Sequence, residues 1–290
     1  MKIKMTKVAR APEPEESKGA ARAAKVRSGA MTGNAAPRRP AAVPPVDAMD
    51  PHPFGVPSIL RSSGAPAGPA VAGGIDAWSY SRYTTWLGCP FKAKCQFVLK
   101  LREPDNPAMA RGTAIHKLAE LYASGASRTL PDELKLFARE FKDLRAKHPQ
   151  CEGEWAFTRT WKETGWFAKG AEAAWCRIKT DATAVGGLCV EIIDYKTGKQ
   201  HPEHPGQLSL YGLGGFVKYP EALRVKASLW YLDSGERADL EFTREQFPLL
   251  KSTWNDKVAP MLADRRFTPR PTKRCCWCHF RKENGGPCQY

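Results

Sequence analysis

The sequence has 290 residues, 42% of them hydrophobic, which is enough for one large domain or two small ones with a proper core. Its 45 lysines and arginines outnumber its 30 aspartates and glutamates, giving a formal net charge of +15. This excess favours a polyanionic partner, with nucleic acid as the leading candidate, although a merely basic protein would carry the same charge. No apolar stretch is long enough to span a bilayer, so a cytoplasmic protein without membrane contact is expected.

The N-terminal segment, residues 1–74, is predicted to be a disordered basic tail. Ala, Pro, Gly, Ser and Arg dominate it, and it has neither helical nor strand periodicity. Its excess of basic residues could add non-specific affinity for DNA, although a solvated extension is the simpler interpretation. A transit peptide is a further alternative, but Glu13, Glu15 and Glu16 argue against it because such peptides avoid acidic residues.

A folded domain is predicted over residues 75–290, beginning with helices. Two segments place apolar residues at helical spacing: Ile115, Leu118, Ala119 and Tyr122, then Leu134, Phe137, Phe141 and Leu144. This spacing predicts two amphipathic helices. Residues 175–181 and 189–195 are rich in strand-forming residues and are separated by Ala-Val-Gly-Gly, so they are predicted to form a hairpin.

The remaining elements complete a mixed α/β pattern. Residues 207–217 are predicted to form a helix, and strict alternation predicts a strand over 225–231, followed by a turn and a strand containing Leu240 and Phe242. Thr243 and Gln246 have capping-box spacing for a last helix that carries Phe247, Leu250, Trp254 and Val258. This order favours a single α/β domain with a mixed sheet flanked by helices.

The most informative motif is Asp181 followed by Asp194-Tyr195-Lys196. Residues two apart in a strand share a face, so Asp194 and Lys196 point the same way, and Asp181 can reach that face across the hairpin. Two nearby carboxylates repel unless a cation lies between them, which makes a plausible Mg²⁺ or Mn²⁺ site. Lys196 beside them could orient an attacking water, as phosphodiester hydrolysis requires. Taken alone, the motif also fits an ordinary charged strand end.

Three further residues could complete this site. His116 begins an amphipathic helix off its apolar stripe, where a neutral imidazole could bind the metal, although a surface histidine is the ordinary explanation. Gln207 and Tyr211 are one helical turn apart and share a face, where an amide and a phenol could hold a phosphate or position Lys196. Core packing would explain Tyr211 equally well.

The cysteines indicate a metal site and a reducing compartment. There are nine, an odd number, and Cys275, Cys276, Cys278 and Cys288 are crowded at the C-terminus, which does not fit a disulfide framework. Cysteine clusters in a reducing compartment usually bind metal. A Cys-x-x-Cys zinc site fits this spacing, because sequence spacing does not identify the metal.

In order and approximate spacing, these motifs resemble the RecB-type branch of the PD-(D/E)XK nuclease superfamily. The resemblance covers about residues 76–290 and rests on Trp78-Ser79-Tyr80-Ser81, Cys89-Pro90, Gly112 to His116, Asp181, Ile193 to Gly198, and Gln207-x-x-x-Tyr211. Within that branch it is most similar to small phage exonucleases and to RecB-like nucleases associated with CRISPR systems. The resemblance implies a restriction-endonuclease-like fold.

The resemblance also implies a role for each site residue. His116, Asp181, Asp194 and the main-chain carbonyl of Tyr195 would bind the catalytic Mg²⁺ or Mn²⁺. Lys196 would be the catalytic lysine, and Gln207 and Tyr211 would support DNA binding and catalysis. Asp194 stands where many relatives have Glu, which the pattern of the superfamily permits.

Iron–sulfur members of the branch have one cysteine before the nuclease motifs and three after them. This implies that Cys89, Cys275, Cys278 and Cys288 hold a 4Fe-4S cluster that joins the two ends of the domain. Cys95 is a rival to Cys89, and Cys276 is an extra thiol. Zinc remains the alternative metal. A basic collar around these cysteines could grip DNA backbone: Arg270, Lys273, Arg274, Arg281 and Lys282.

The predicted function is a metal-dependent DNA nuclease, an exonuclease in DNA processing or recombination, located in the host cytoplasm if phage-encoded. The alternative is a catalytically silent DNA-binding module with a structural iron–sulfur or zinc site. The intact Asp181, Asp194 and Lys196 triplet argues against that alternative. No P-loop motif occurs in the sequence, so a helicase or recombination protein would have to act in trans.

Overall fold

Seven strands form one sheet in the computed structural model, which describes residues 4–8 and 73–290. In chain order they are β1 (Lys4–Lys7), β2 (Gln150–Phe157), β3 (Glu163–Thr164), β4 (Cys176–Gly186), β5 (Cys189–Lys196), β6 (Arg224–Tyr231) and β7 (Glu236–Thr243). Their order in the sheet is β1-β7-β6-β5-β4-β2-β3. Only β5 and β6 run parallel among these strands, so the predicted mixed sheet is confirmed.

Helices cover both faces of the sheet. They are α1 (Tyr80–Gly88), α2 (Pro90–Ala93), α3 (Pro107–Ala123), α4 (Ala138–Ala146), α5 (His204–Lys218) and α6 (Phe247–Ala263). Helices α1, α5 and α6 bury apolar side chains in one core cluster, and α3 and α4 in a second. The first predicted amphipathic helix is present as α3, and so is the capping box at Thr243. The second is divided, because Leu134 and Phe137 lie in a 3-10 helix that precedes α4. Within the described ranges, no helix is both long and apolar enough to cross a membrane.

Strand β5 supplies side chains to both clusters. Val190 and Ile192 pack in the first, whereas Ile193 and Tyr195 pack in the second. Strand β5 is the central strand of the sheet, packed on both faces, and it carries Asp194 on the side of α5. The parallel connection from β5 to β6 runs through α5, as a βαβ crossover requires.

The hairpin of β4 and β5 is longer than predicted. Pairing reaches Gly186 opposite Cys189, so the turn consists of Gly187 and Leu188, with Gly187 at a φ of +57°. Strand β4 also changes faces along its length, because Ile178 packs in the first cluster and Ala182 in the second. The change interrupts the alternation that sequence periodicity detects, which is why the predicted strand ended near residue 181.

The prediction of a wholly unstructured tail over residues 1–74 is wrong for Lys4–Lys7. These residues pair antiparallel with β7, from Lys4 opposite Asp239 to Lys7 opposite Glu236. Backbone hydrogen bonds stabilise an edge strand even when it buries no apolar face. Met5 remains 47% exposed, so the sequence of this strand has no hydrophobic pattern from which it could be predicted. Residues 9–72 of the predicted tail lie outside the described residues.

Candidate active site

The site is built where the ladder between β4 and β5 ends. Pairing runs from Gly186 opposite Cys189 to Ala182 opposite Ile193 and stops before Asp181. Asp181 Oδ2 instead accepts the backbone N–H of Tyr195 at 2.5 Å. The Asp181 side chain thus takes the place of a backbone carbonyl as the acceptor for the N–H of Tyr195. Since β5 continues along β6 to its last residue, β4 and β5 separate here and leave room for ligands.

Asp194 is the most enclosed carboxylate of the site, with 7% of the residue exposed. Its Oδ1 accepts hydrogen bonds from the Tyr211 hydroxyl and, at 3.1 Å, from Gln207 Nε2. Its Oδ2 lies 2.6 Å from Lys196 Nζ, yet it makes no hydrogen bond of ordinary geometry. The ion pair balances charge, while Oδ2 retains lone-pair capacity for a further cation. A buried carboxylate oxygen in this state suits a cation.

Helix α5 delivers the amide that links these groups. Gln207 Oε1 accepts Lys196 Nζ at 3.0 Å, and Gln207 Nε2 lies 2.6 Å from the Tyr211 hydroxyl. The helix approaches the sheet closely because it lacks side chains there: a Cβ on Gly214 would lie 2.5 Å from Ile178 Cδ1, and one on Gly215 2.9 Å from Ile192 Cδ1. The glycines therefore set how far Gln207 and Tyr211 reach.

His116 enters from α3 on the other side of Asp181. Its Nδ1 lies 3.1 Å from Asp181 Oδ1, and its ring meets that of Tyr195 edge-on at 5.8 Å. Burial lowers the pKa of His116, but the hydrogen bond and charge of Asp181 outweigh burial, so the pKa lies above its ordinary value. Gly112 brings α3 close, since a Cβ there would lie 3.0 Å from Thr197 Oγ1.

The carboxylates of the site repel one another, which favours a bound cation. Burial, and then the charge of Asp194, raise the pKa of Asp181 above the usual carboxyl value. Burial and the charge of Asp181 likewise raise the pKa of Glu152. A divalent cation among these groups would relieve the repulsion between them.

Glu152 is a site residue that sequence reasoning missed. One ligand atom from each of His116, Glu152 and Asp181 lies within 4.8 Å of the others. In the ladder between β2 and β4, Cys151 pairs with Ala182 and Gly153 pairs with Thr180. Glu152 and Asp181 lie between these two pairs and therefore face each other. Glu152 has a φ of +50°, a strained conformation that residues other than glycine rarely adopt. The available signal was Gly153, because a glycine inside a strand often marks a bulge or a close approach.

Two depressions meet at Asp181. A cavity of about 610 Å³, which we call the carboxylate cavity, is lined by Asp181, Asp194, Lys196, Gln207 and Tyr211 and also by Arg82, Arg177 and Lys179. A second, of about 460 Å³, is lined by His116, Glu152 and Asp181, with Lys179 shared between the two. All six predicted site side chains are therefore brought together around one carboxylate, with basic residues at the entrance.

The four predicted cluster cysteines also share one cavity. Cys89, Cys275, Cys278 and Cys288 line a space of about 460 Å³, the cysteine cavity. The backbone N–H of Arg270 lies 3.4 Å from Cys89 Sγ, and that of Thr272 lies 3.3 Å from Cys275 Sγ. Backbone donors of this kind stabilise thiolates. The C-terminal segment thus meets the junction of α1 and α2.

The other cysteines are placed differently. Cys276 is exposed and directs its Sγ to the carbonyl of Lys273. Cys95 is fully buried and does not line the cysteine cavity, although burial, and then the charges of Cys288, Cys278 and Cys89, raise its pKa to about 11. Cys176 packs in the first core cluster and Cys151 against the second. Of the cysteines that compete with the predicted set, neither Cys95 nor Cys276 lines the cavity that the predicted four share.

The chain has detectable similarity to two solved structures and to one protein family. A protein from Eubacterium rectale provisionally named an exonuclease has 13% sequence identity and a TM-score of 0.43, over 71% of this chain and 89% of its own. SSO0001 has 14% identity and a TM-score of 0.33, over 73% of this chain and 87% of its own. No curated protein matches the sequence significantly. A family model matches residues 77–282, which is most of the chain, and by that match the chain belongs to the PD-(D/E)XK nuclease superfamily.

Proposed function

We propose that this protein is a Mg²⁺- or Mn²⁺-dependent deoxyribonuclease of the RecB-like iron–sulfur branch that degrades DNA from an end. The observation that carries the proposal is the convergence of Asp181, Asp194 and Lys196 in one basic-rimmed cavity at a break in the sheet. An ordinary charged strand end would leave these groups in solvent. Here Asp194 Oδ2 is buried and forms an ion pair with Lys196 at 2.6 Å, so these charges are enclosed in the cavity.

The residues present fit a hard divalent cation. Asp181, Asp194, His116 and the main-chain carbonyl of Tyr195 would hold it, and Glu152 adds an oxygen ligand within reach of Asp181 and His116. The bound ion would polarise the scissile phosphate, lower the pKa of water and offset charge on the leaving oxygen. Magnesium and manganese both accept this oxygen-rich set.

Lys196 is positioned to act on the attacking water or on a phosphate oxygen. Its ammonium donates a hydrogen bond to Gln207 Oε1 at 3.0 Å and forms an ion pair with Asp194 Oδ2 at 2.6 Å, which together fix its position. Donor capacity remains on the ammonium for a group bound in the cavity. Tyr211 donates to Asp194 Oδ1 and so keeps that carboxylate oriented. Preorganised donors of this kind act where charge develops in the transition state.

The cysteine cavity fits a 4Fe-4S cluster held by Cys89, Cys275, Cys278 and Cys288. A single tetrahedral zinc ion with bonds of about 2.3 Å would bring its sulfurs to about 3.8 Å from one another. Among the described cysteines, no three sulfurs lie within 4.8 Å of one another, so they are not arranged for a single tetrahedral zinc ion. The cluster would tie the α1–α2 junction to the C-terminal segment and so brace the nuclease fold.

The substrate proposal rests on charge. The net charge of +15 and the basic residues Arg82, Arg177 and Lys179 at the carboxylate cavity suit a polyanionic strand. We assign the protein to DNA processing or recombination in a cytoplasm, that of a host if it is phage-encoded, with a helicase or recombination protein acting in trans. This setting follows from the family resemblance alone.

The test is cleavage of end-labelled single- and double-stranded DNA by anaerobically purified protein, with Mg²⁺, with Mn²⁺ and with chelator. Lys196→Ala is expected to lower the rate at least a hundredfold, about 2.7 kcal/mol of transition-state stabilisation. Lys226→Ala, a lysine of the neighbouring strand that lines a different cavity, is the matched control and is expected to cleave normally. DNA binding without cleavage by fully metallated protein would contradict the proposal and favour a silent binding module.

A further inference from the structure

Two neighbouring aromatic side chains lie beside the carboxylate cavity. Trp166 and Phe167 lie in the connection between β3 and β4, and Trp166 lines the cavity. Phe167 is 79% exposed, and Trp166 is half-buried. Together the two rings offer an aromatic surface next to a polar site, which is a common feature of binding sites.

The two rings contact basic side chains of β4 through cation–π interactions. The Arg177 guanidinium lies 5.5 Å from the centroid of Trp166 and 5.9 Å from that of Phe167. Lys179 Nζ lies 5.6 Å from the Trp166 centroid. Both cations also line the carboxylate cavity, so the aromatic faces and the positive charge form one surface.

Two arginines at this surface lack an acidic partner. Among the described residues, no carboxylate lies within 4.0 Å of Arg82 or Arg177. Arg177 Nε is buried without a hydrogen-bond acceptor. Burial, and then the charge of Arg177, lower the pKa of Arg82. An anion between the two guanidinium groups would satisfy the unused donor and relieve the repulsion.

We propose that Trp166 and Phe167 form a stacking platform for an unpaired base, with Arg82 and Arg177 binding the phosphate beside it, so that the enzyme takes single-stranded DNA. This inference rests on the proposed nuclease function and names its substrate class. A base within a duplex has both faces covered by its neighbours, whereas an unpaired base can stack on protein aromatics. Arg177 lies four residues from Asp181 along β4, about 13 Å, or about four stacked nucleotides.

The test is equilibrium binding of fluorescein-labelled dT20 and of a blunt duplex, measured by anisotropy with full-length protein in Ca²⁺. Replacing both rings (Trp166→Ala with Phe167→Ala) is expected to weaken dT20 binding about ten- to a hundredfold and duplex binding less than threefold. The paired tyrosine variant (Trp166→Tyr with Phe167→Tyr) keeps two aromatic faces and should restore affinity to within threefold. Leu249→Ala, which removes an equally exposed apolar side chain on α6, should bind like the unaltered protein.

The inference is overturned if the double alanine variant binds dT20 within threefold of the unaltered protein, or if duplex binding falls by the same factor. Hydrolysis of bis(p-nitrophenyl) phosphate by the unaltered protein needs no base, so this activity tests the proposed nuclease function separately from the platform. An unaltered protein that binds dT20 through the platform but cleaves neither substrate would contradict the nuclease proposal while leaving the binding site intact.

Discussion

The side-chain amide of Gln207 offers a sharp test of how the site is organised. It accepts a hydrogen bond from Lys196 and donates to Asp194 and Tyr211, at 3.0, 3.1 and 2.6 Å. Gln207→Leu keeps a side chain of similar size and removes every one of these contacts. Lys196 then loses one of its two fixed partners and can rotate within the cavity.

The expected magnitude follows from the charges involved. A hydrogen bond to a charged group contributes about 1.5–3 kcal/mol, and two of the three bonds to Gln207 are of this kind. Water from the open cavity replaces part of the loss, so we expect about 2–3 kcal/mol less transition-state stabilisation. This corresponds to a fall in kcat of roughly 30- to 150-fold.

Multiple-turnover cleavage at saturating DNA measures kcat, and anisotropy measures the Kd for DNA. Gln207→Leu should lower kcat and leave Kd within about threefold, because Gln207 acts on Lys196 and Asp194 rather than on the bulk of the strand. Gln200→Leu, an exposed glutamine outside the carboxylate cavity, is the control. Unchanged kcat with a raised Kd would refute a positioning role and make Gln207 a simple binding residue.

Three further predictions concern the cluster, the packing of α5 and the response to acid. Cys288→Ser should lose visible absorption and bound iron, whereas Cys276→Ser, whose thiol points away from the cysteine cavity, should keep both. Gly214→Ala should lower the free energy of unfolding in urea by about 1–3 kcal/mol, since its Cβ would meet Ile178, and Gly88→Ala, with open space around it, should not. Burial, and then the charge of Lys196, lower the pKa of His204 to about 4, so its contribution to stability is present above about pH 6.5 and declines as the pH falls towards 4. The midpoint of thermal unfolding should therefore fall less between pH 7 and pH 5 in His204→Gln than in the unaltered protein.

Much of the site could be predicted because its residues lie on regular elements. Asp194 and Lys196 share a face of a strand, and Gln207 and Tyr211 share a face of a helix, so local periodicity is enough to group each pair. Local periodicity does not show that α5 lies over β5. That arrangement depends on the glycines of α5, whose close approach to Ile178 and Ile192 appears only in three dimensions.

The missed features depend on irregular backbone. Glu152 reaches the site through a positive φ, and β2 goes on to bury Trp155, Ala156 and Phe157 in succession, so the strand has no alternating pattern to detect. The edge strand Lys4–Lys7 was missed because backbone pairing with β7 stabilises it, and such pairing leaves no mark in a four-residue sequence. Both cases involve backbone geometry rather than side-chain pattern.

The central claim is that the carboxylates at the end of the β4–β5 ladder are the catalytic centre of a DNA nuclease. The most direct measurement is the cleavage rate of DNA by Asp194→Asn with saturating Mg²⁺ or Mn²⁺, beside Glu191→Gln on the same strand as a control. We predict that Asp194→Asn binds DNA normally and loses at least a hundredfold in rate, while Glu191→Gln, whose carboxylate pairs with Lys147, cleaves normally. Cleavage by Asp194→Asn at the rate of the unaltered protein would contradict the account.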